Sequence, residues 1–358
     1  MITLKDIADR LDFSISTVGR ALADHPRISR ETKELVRVTA DELGYVANRA
    51  AQVMRGGSSH LIGLLVPDVR STFYSMVAQN LSKCFEADGF HLALSITDDD
   101  REKELAQVRE LVSARVAGIA LVPSAAPKRE MLKLLRSVPH VQILRQLPAL
   151  GDWFGMDEER AILGATNHLL ELGHRRIGYV GDVIFPTGKI RYAAFCRAMS
   201  EAKLKVDKNL VELGTPNRLF GAEAASRLVA RDPAPTAIVV TSVQITLGVA
   251  EQLAADRVEV PGAISMVGYG DGDWHQWWGP GLTTLRLPVE DLATTCGLWF
   301  LNSLQTGRWS SSKEPHISTS SISFVKRGST APPRAAELRA SGTKAIYDAA
   351  VTGTGRAK

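Results

Sequence analysis

Cysteines, net charge and long apolar runs are all scarce in this 358-residue chain, and each scarcity excludes a class of protein. Cys84, Cys196 and Cys296 are far apart and show neither a disulfide framework nor a metal-binding spacing. No apolar run reaches the ~18 residues of a membrane span. The opening "MITLKDIADR" also lacks the basic and then apolar pattern of a signal peptide. We therefore expect a cytoplasmic protein with no membrane segment, metal or cofactor.

The small net charge gives no sign of a nucleic-acid partner. The whole chain carries +4, and residues 1–60 hold nine basic and eight acidic side chains, a difference (9 − 8) of only +1. Proteins that bind nucleic acid through charge alone are far more basic. Any evidence for DNA binding must therefore come from the pattern of residues.

The first 45 residues have the pattern of three short helices. A buried stripe at i, i+3, i+4 and i+7 marks the first helix, at Leu4, Ile7, Ala8 and Leu11. Ser14 and Ser29 are suited to cap the second and third helices. The core of such a unit is very small and marginal in stability. That favours a unit whose purpose is to present a surface.

The second helix, within "FSISTVGRAL", carries Ser16, Thr17 and Arg20 and few apolar residues. A helix-turn-helix places such a helix in the DNA major groove. Hydroxyl groups there bond phosphates or base edges, and an arginine can bond guanine through two acceptors. The same residues would also suit an ordinary solvent-exposed helix face, so the helix alone does not decide between the two.

From His60 onward the chain alternates between apolar runs and helical segments. The runs are typical of strands buried on both faces; they are "LIGLLVP" (61–67), "HLALSI" (91–96), "GIALVP" (118–123), "VQIL" (141–144), "IGYVG" (177–181), "AIVVTS" (237–242) and "ISMVGYG" (264–270). This alternation predicts parallel sheets joined by right-handed crossovers. A break near "LGDWFGMDEE" indicates two lobes, and ligands of such sheets bind at the carboxyl ends of strands.

Thr3 to Asp68 closely resembles the LacI/GalR family of bacterial transcription regulators. The resemblance rests on the order of five pieces: "DIA", "S..TV.RAL", "IS..T...V...A.ELGY", "NR.AQ.M" and "IGLLVPD". It continues through "LGHRRIGYVG" (172–181), "KIRYAAFCRAM" (189–199) and "ISMVGYGDGD…GPGLTTLRLP" (264–288). Only the C-terminal tail is left uncovered.

The resemblance implies a small all-α helix-turn-helix headpiece and an α/β two-lobed, periplasmic-binding-protein-like core with parallel sheets. The expected divisions are a headpiece at 1–46, a hinge helix and linker at 47–59, a core at 60–328 and a tail at 329–358. We expect one lobe at about 60–152 plus 285–312, the other at 153–284 plus 313–328, and disorder in most of the tail. Family members are dimers or tetramers on palindromic double-stranded operator DNA. The tail has no clear leucine heptad, which favours a homodimer.

The resemblance also assigns the residues that contact DNA. Those matching the base-reading positions are Ile15, Ser16 and Arg20. Those matching phosphate-contacting positions are Thr17, Ser29, Thr32 and Asn48. Those expected at the minor groove are Ala51, Met54 and Arg55. Met54 stands where the family has its intercalating leucine, and an apolar wedge there would pry open one base step.

Eight residues are candidates for the effector site. Arg191 matches the family's arginine that holds effector hydroxyls or carboxylates. The other seven candidates are Phe73, Tyr74, Ser124, Asp157, Ser242, Asp271 and Trp274. Trp274, with its neighbouring tryptophans, would equally suit an interlobe or dimer contact.

Two acidic anchors of sugar-binding members are missing. Ser242–Val243 stands in place of Asn-Asp, and Gly270 in place of an aspartate. The loss of carboxylates beside Arg191, with Lys189 and Arg145 as possible neighbours, predicts an anionic effector such as a sugar acid. Asp271 could replace the missing aspartate, and a neutral sugar would then bind.

Two other classes of protein fit less well. For an enzyme, "GYGDGD" has Asp273 where a dinucleotide fingerprint needs glycine, and no G-x-S-x-G motif is present. A periplasmic-type binding protein without DNA function would need a signal peptide and would not carry residues 1–59. We therefore expect a non-enzymatic repressor whose operator affinity is controlled by a small carbohydrate-like effector.

Overall fold

The computed structural model describes residues 2–45, 59–308 and 314–334. Contacts divide the chain into two units, 1–59 and 60–358. Four of the predicted DNA contacts lie outside the described residues: Asn48, Ala51, Met54 and Arg55. So does the predicted tail beyond residue 334.

The first unit is a three-helix headpiece. Its helices are α1 (Leu4–Leu11), α2 (Ile15–Leu22) and α3 (Arg30–Glu42). Its small buried core is formed by Ile7, Ala8, Val18, Ala21, Val36 and Ala40. The predicted caps are confirmed, because Thr17 N–H donates to Ser14 Oγ and Thr32 N–H donates to Ser29 Oγ, each at 3.1 Å.

The second unit contains two six-stranded sheets. Its strands are β1 (Leu61–Val66), β2 (His91–Ile96), β3 (Gly118–Leu121), β4 (His140–Ile143), β5 (Trp153–Met156), β6 (Ile177–Gly181), β7 (Val211–Leu213), β8 (Ala237–Val240), β9 (Ser265–Tyr269), β10 (Thr283–Arg286), β11 (Ile317–Ser320) and β12 (Ser323–Val325). The first sheet has the order β11-β5-β4-β3-β1-β2 and the second β12-β10-β9-β8-β6-β7. All pairings are parallel except β10 with β12.

Helices connect these strands. They are α4 (Thr72–Ala87), α5 (Arg101–Ser113), α6 (Arg129–Leu135), α7 (Glu158–Glu171), α8 (Pro186–Glu201), α9 (Arg218–Val229), α10 (Val243–Ala255), α11 (Trp274–Trp277) and α12 (Val289–Thr306). Within the described ranges, none is long and apolar enough to cross a membrane.

The seven apolar runs are confirmed as strands β1, β2, β3, β4, β6, β8 and β9. Most are central strands of parallel sheets, where helices cover both faces and leave no side for polar residues. Residues 62–66 of β1, for example, are all buried. The remaining strands have only three or four residues each, too few for a clear periodic pattern.

The chain crosses between the lobes slightly later than the division expected from the sequence. β5 and β11 both belong to the first sheet, and Ile317 pairs with Trp153. Phe154 and Met156 lie in the first lobe's core. β10 belongs to the second sheet. The crossings therefore follow these strands, near residues 157, 287 and 321, because each strand completes a sheet before the chain leaves it.

The start of the predicted disordered tail is in fact packed against the second sheet. Ser329 is fully buried. Its N–H donates to the Gly281 carbonyl at 3.0 Å, and its carbonyl accepts from Met266 N–H at 2.8 Å. The composition of residues 329–334 suggested disorder, but Ser329 forms backbone hydrogen bonds with Met266 of β9 and with Gly281, just before β10.

His174 connects this stretch to the core and should make stability depend on pH. Its Nε2 lies 2.9 Å from the Ala331 carbonyl and its Nδ1 2.9 Å from Thr236 Oγ1. The carbonyl can only accept, so Nε2 carries the proton and Nδ1 accepts from the hydroxyl. Burial lowers the pKa of His174 from 6.5 to about 4. A proton on Nδ1 would reverse the bond with Thr236, whose hydroxyl would then accept from Nδ1 and donate to the Arg176 carbonyl at 3.3 Å; the buried charge is what disfavours this state.

We expect the native state to lose stability as pH falls from about 6.5 to about 4, because only the unfolded state binds the proton in that window. The loss should be on the order of 2–3 kcal/mol. Urea unfolding of the wild type and of His174→Gln across this range measures it. His168 and His275 also have pKa values lowered by burial, so the test is the difference between the two proteins. Parallel pH profiles would contradict the assignment.

Candidate functional site

One face of α2 is exposed and rich in hydrogen-bonding groups. Ile15 has half its surface exposed, and Ser16 and Arg20 are exposed beside it. Val18 and Ala21, on the opposite side, are buried in the headpiece core. Within residues 2–45, the Arg20 guanidinium has no ion-pair or hydrogen-bond partner, although the backbone carbonyl accepts from His25 N–H at 3.0 Å. Its guanidinium group is therefore free to bind a ligand.

The remaining predicted phosphate contacts lie at helix starts. Thr17 is half-buried in the first turn of α2, and its hydroxyl lies 2.8 Å from Ser14 Oγ. At the start of α3, Ser29 Oγ lies 2.8 Å from the hydroxyl of Thr32. The amino ends of helices attract anions through their free N–H groups and the helix dipole. These hydroxyls are therefore well placed for phosphate oxygens.

A cavity of about 280 Å³ lies between the two lobes of the second unit. Its lining comes largely from segments that follow parallel strands: 67–74 after β1, 98–99 after β2, 144–145 after β4, 182–191 after β6, 215–217 after β7 and 242–244 after β8. Open parallel sheets bind their ligands at this edge. The volume suits a small molecule.

Three helices begin at the cavity without a side-chain cap. Ser71, Phe185 and Ser242 precede α4, α8 and α10, and none of their side chains makes a capping hydrogen bond. All three residues line the cavity. The first N–H groups of an α-helix have no partner within the helix. The cavity therefore offers backbone donors to the oxygen atoms of a ligand.

Arg191 is held on several sides within the second lobe. Its Nε and Nη2 donate to the two carboxylate oxygens of Glu158 at 2.8 and 2.6 Å. Nη1 donates to the Thr241 carbonyl at 2.8 Å, and Nη2 also donates to Tyr269 Oη at 2.7 Å. Burial alone would lower the pKa of Arg191, but the Glu158 carboxylate outweighs it and raises the pKa. Four of the five guanidinium N–H groups are thus bonded within the protein.

Arg145 is a second paired arginine, and it joins the lobes. It follows β4 and forms an ion pair with Asp99, with Nη2 donating to Oδ2 at 3.2 Å. Nη1 also donates to the Pro123 carbonyl at 3.2 Å. The guanidinium lies 3.5 Å from the ring centre of Phe185, which belongs to the other lobe. A desolvated cation–π contact therefore spans the cavity.

The structure brings together four of the eight predicted effector residues. Phe73, Tyr74, Arg191 and Ser242 all line the cavity. Phe73 and Tyr74 pack edge to face, with ring centres 5.2 Å apart. They supply an apolar wall opposite the polar groups of the second lobe.

Two further predicted residues are absent from the cavity lining because they stabilise secondary structure. Ser124 is buried after β3, where its N–H and hydroxyl donate to Glu104 at 2.8 and 2.6 Å. Asp157 caps α7 by accepting from Arg160 N–H at 3.1 Å. Both side chains therefore form hydrogen bonds within the protein, one after a strand and the other at the start of a helix.

The last two predicted residues also lie away from this cavity. Asp271 is paired with Arg286 and Arg327, each at 2.7 Å. It lines a separate groove beside α4. Trp274 is half-buried and packs against the second lobe's core. Asp271 therefore does not take the place of the missing aspartate at the cavity.

The sequence analysis did not single out Glu158, Asp99, Asp182 and Phe185. Asp99, Asp182 and Phe185 line the cavity, and Glu158 binds Arg191. Asp99 and Asp182 each come soon after a predicted strand. Their position after a parallel strand was the signal that could have identified them as cavity residues. Glu158 lies beside Asp157 at a helix start, where acidic residues commonly serve the helix alone.

Comparison with known proteins agrees with both units. Residues 3–48 match the family model "Bacterial regulatory proteins, lacI family", and residues 166–330 match "Periplasmic binding protein-like domain". The regulator GalR of Salmonella typhimurium (strain LT2) is 26% identical over 297 residues, covering 82% of this chain and 87% of GalR.

Two solved structures share the fold. The lac repressor dimer bound to operator and the anti-inducer ONPF has a TM-score of 0.80 at 23% identity, covering 92% of this chain and 99% of that one. The regulator CelR, in complex with cellobiose, has a TM-score of 0.68 at 23% identity, covering 92% and 100%. These two structures show the shared fold. The match of residues 3–48 to the lacI family model, the match of the core to the periplasmic-binding-protein-like model and the similarity to GalR together show that the chain belongs to the LacI family of DNA-binding transcription regulators.

Proposed function

We propose that this regulator is a repressor that binds a palindromic operator as a homodimer. The exposed face of α2 supports the role of Ile15, Ser16 and Arg20 in reading bases, since Arg20 is free and none of the three lies in the headpiece core. Thr17, Ser29 and Thr32 would bond phosphates at the starts of α2 and α3. Asn48, Ala51, Met54 and Arg55 remain proposed contacts on the basis of sequence.

The effector best supported by the cavity is a neutral, hydroxyl-rich molecule such as a sugar. The decisive observation is that Arg191 has one N–H left and a buried carboxylate as its counter-ion. A ligand carboxylate could not form the bidentate pair that makes arginine a strong anion site. It would also lie close to Glu158, which would repel it.

The other two arginines that line the cavity also do not provide a free cation for a ligand carboxylate. Arg145 is paired with Asp99, and the exposed Arg70 is paired with Asp68 at 3.0 Å. The prediction of a sugar acid treated the arginines as free and the site as poor in carboxylates. In the cavity, uncapped helix starts and the remaining Arg191 N–H supply donors to hydroxyl oxygens. Phe73 and Tyr74 supply apolar surface to a sugar face.

Matched pairs of ligands test this proposal. We would measure the melting temperature of the full chain with D-glucose, D-galactose and cellobiose, and with gluconate, galacturonate and cellobionate. A ligand that binds the folded state raises the melting temperature by mass action. We expect a rise with at least one neutral sugar and a smaller rise, or none, with its acid. A rise confined to an acid would favour the sugar-acid effector instead.

Effector binding at the interlobe cavity should alter how the two lobes sit and so change operator affinity. The sugar that raises the melting temperature should therefore shift the operator-binding curve of the full chain. The acid partner of that sugar is the control. A stabilising sugar that leaves operator affinity unchanged would show binding without regulation.

A further inference from the structure

Asp182 is a nearly buried carboxylate at the edge of the cavity. It directly follows β6, and only 2% of its surface is exposed. Its Oδ1 accepts from the N–H groups of Ile184 at 3.2 Å and Phe185 at 3.1 Å. These two bonds hold the turn that leads into α8. One oxygen of the carboxylate is therefore structural.

The carboxylate is also held in position by close packing. A Cβ atom at Gly188 would lie 2.3 Å from Asp182 Oδ1, far inside van der Waals contact. Only a glycine allows the first turn of α8 to approach this closely. The orientation of Asp182 is therefore determined by the backbone on two sides.

The second oxygen, Oδ2, has no protein partner within the described parts of the chain. The three other aspartates of the cavity are each ion-paired: Asp68 with Arg70, Asp98 with Lys103 and Asp99 with Arg145. Asp182 has no ion pair among the residues described. Asp182 lines the cavity, so the lone pairs of this unpartnered oxygen can be reached by a donor on a molecule bound there.

We infer that Asp182 Oδ2 accepts a hydrogen bond from a hydroxyl group of the effector, and that it thereby determines specificity. The inference rests on the proposed function of the cavity and adds a residue that reads the ligand. A hydroxyl, or two vicinal hydroxyls, supplies the missing donor. A ligand carboxylate at the same place would meet a negative charge. The site would therefore select polyols over their acids and over analogues without that hydroxyl.

Asp182→Asn tests this inference without changing the shape of the side chain. The amide oxygen can still accept from Ile184 and Phe185, while the amide nitrogen presents a donor where Oδ2 was an acceptor. We expect calorimetric titration of the full chain with the three neutral sugars to show affinity falling about 10- to 100-fold for the sugar that binds. The preference for that sugar over its acid should also shrink.

Asp88→Asn is the matched control. Asp88 is exposed at the end of α4, is not part of the cavity lining, and accepts from Gln305 Nε2 at 3.1 Å, a bond that the asparagine oxygen keeps. We expect this variant to change affinity less than about threefold. Melting temperatures without ligand identify any loss of folding in either variant.

The outcomes separate the two proposals. Unchanged affinity and selectivity in Asp182→Asn would overturn the role of Asp182 and leave the sugar site intact. Equal losses in both variants would show a general charge effect, which also overturns it. If no neutral sugar binds the wild type, the proposed effector class fails, and the inference about Asp182 fails with it.

Discussion

Replacing Arg20 with alanine should remove most of the preference for operator over unrelated DNA. A good arginine–guanine pair contributes about 1–3 kcal/mol of discrimination. In a dimer both headpieces lose the contact, about 2–6 kcal/mol in all, so the preference should fall roughly 30- to 20,000-fold. Binding to unrelated DNA should change little, because the proposed phosphate contacts remain. Arg20 is exposed and its guanidinium has no partner within the described headpiece, so the fold should not suffer.

Fluorescence anisotropy with operator and scrambled duplexes measures this ratio. Arg10→Ala is the control, since it removes one exposed positive charge from α1, a helix outside the proposed base-reading surface. Effector binding should be unaffected in both variants. If Arg20→Ala keeps the wild-type discrimination, α2 does not read bases through this residue.

Replacing Arg191 with methionine should both destabilise the core and abolish the effector response. Glu158 is 4% exposed and would be left as an unpaired buried carboxylate. Breaking a buried pair in this way costs about 3–5 kcal/mol. For a unit of this size the melting temperature should fall on the order of 10 °C. The loss of the remaining N–H also removes a donor to the ligand.

The double variant Arg191→Met with Glu158→Leu separates stability from binding. Replacing both partners with apolar side chains removes the unpaired charge, so most of the lost stability should return. The effector response should stay absent, because the donor is still missing. A single variant as stable as the wild type would contradict the buried ion pair. A normal dose–response curve in the double variant would exclude Arg191 from the effector site.

The sequence was a good guide to whatever local pattern or a contiguous motif controls. Ser14 and Ser29 were recognised as caps because capping depends on residues three positions apart. Six strands were recognised because parallel strands covered on both faces must be apolar throughout. β2 was recognised from the same kind of run, although it is a partly exposed edge strand. Five short strands were missed: β5, β7, β10, β11 and β12. Each has only three or four residues, too few for a periodic pattern, and pairing with a neighbour makes it a strand.

At the proposed effector site, the sequence identified Arg191 but did not show that its guanidinium is already ion-paired. Glu158 lies 33 positions away along the chain and Tyr269 lies 78 positions away. Counting arginines and missing aspartates could not show that this guanidinium was already paired. The prediction of an anionic effector depended on that unpaired charge.

The sequence alone determined the family, the order of the domains and the position of the second headpiece helix, because these depend on periodicity and contiguous motifs. Only the tertiary structure decided which charges are neutralised at the cavity and which are left over. Arg191 and Arg145 are paired there, whereas Asp182 keeps one oxygen free. Ion pairing acts over a few ångströms in space and not along the chain. The charge that a ligand meets is therefore a property of the folded cavity.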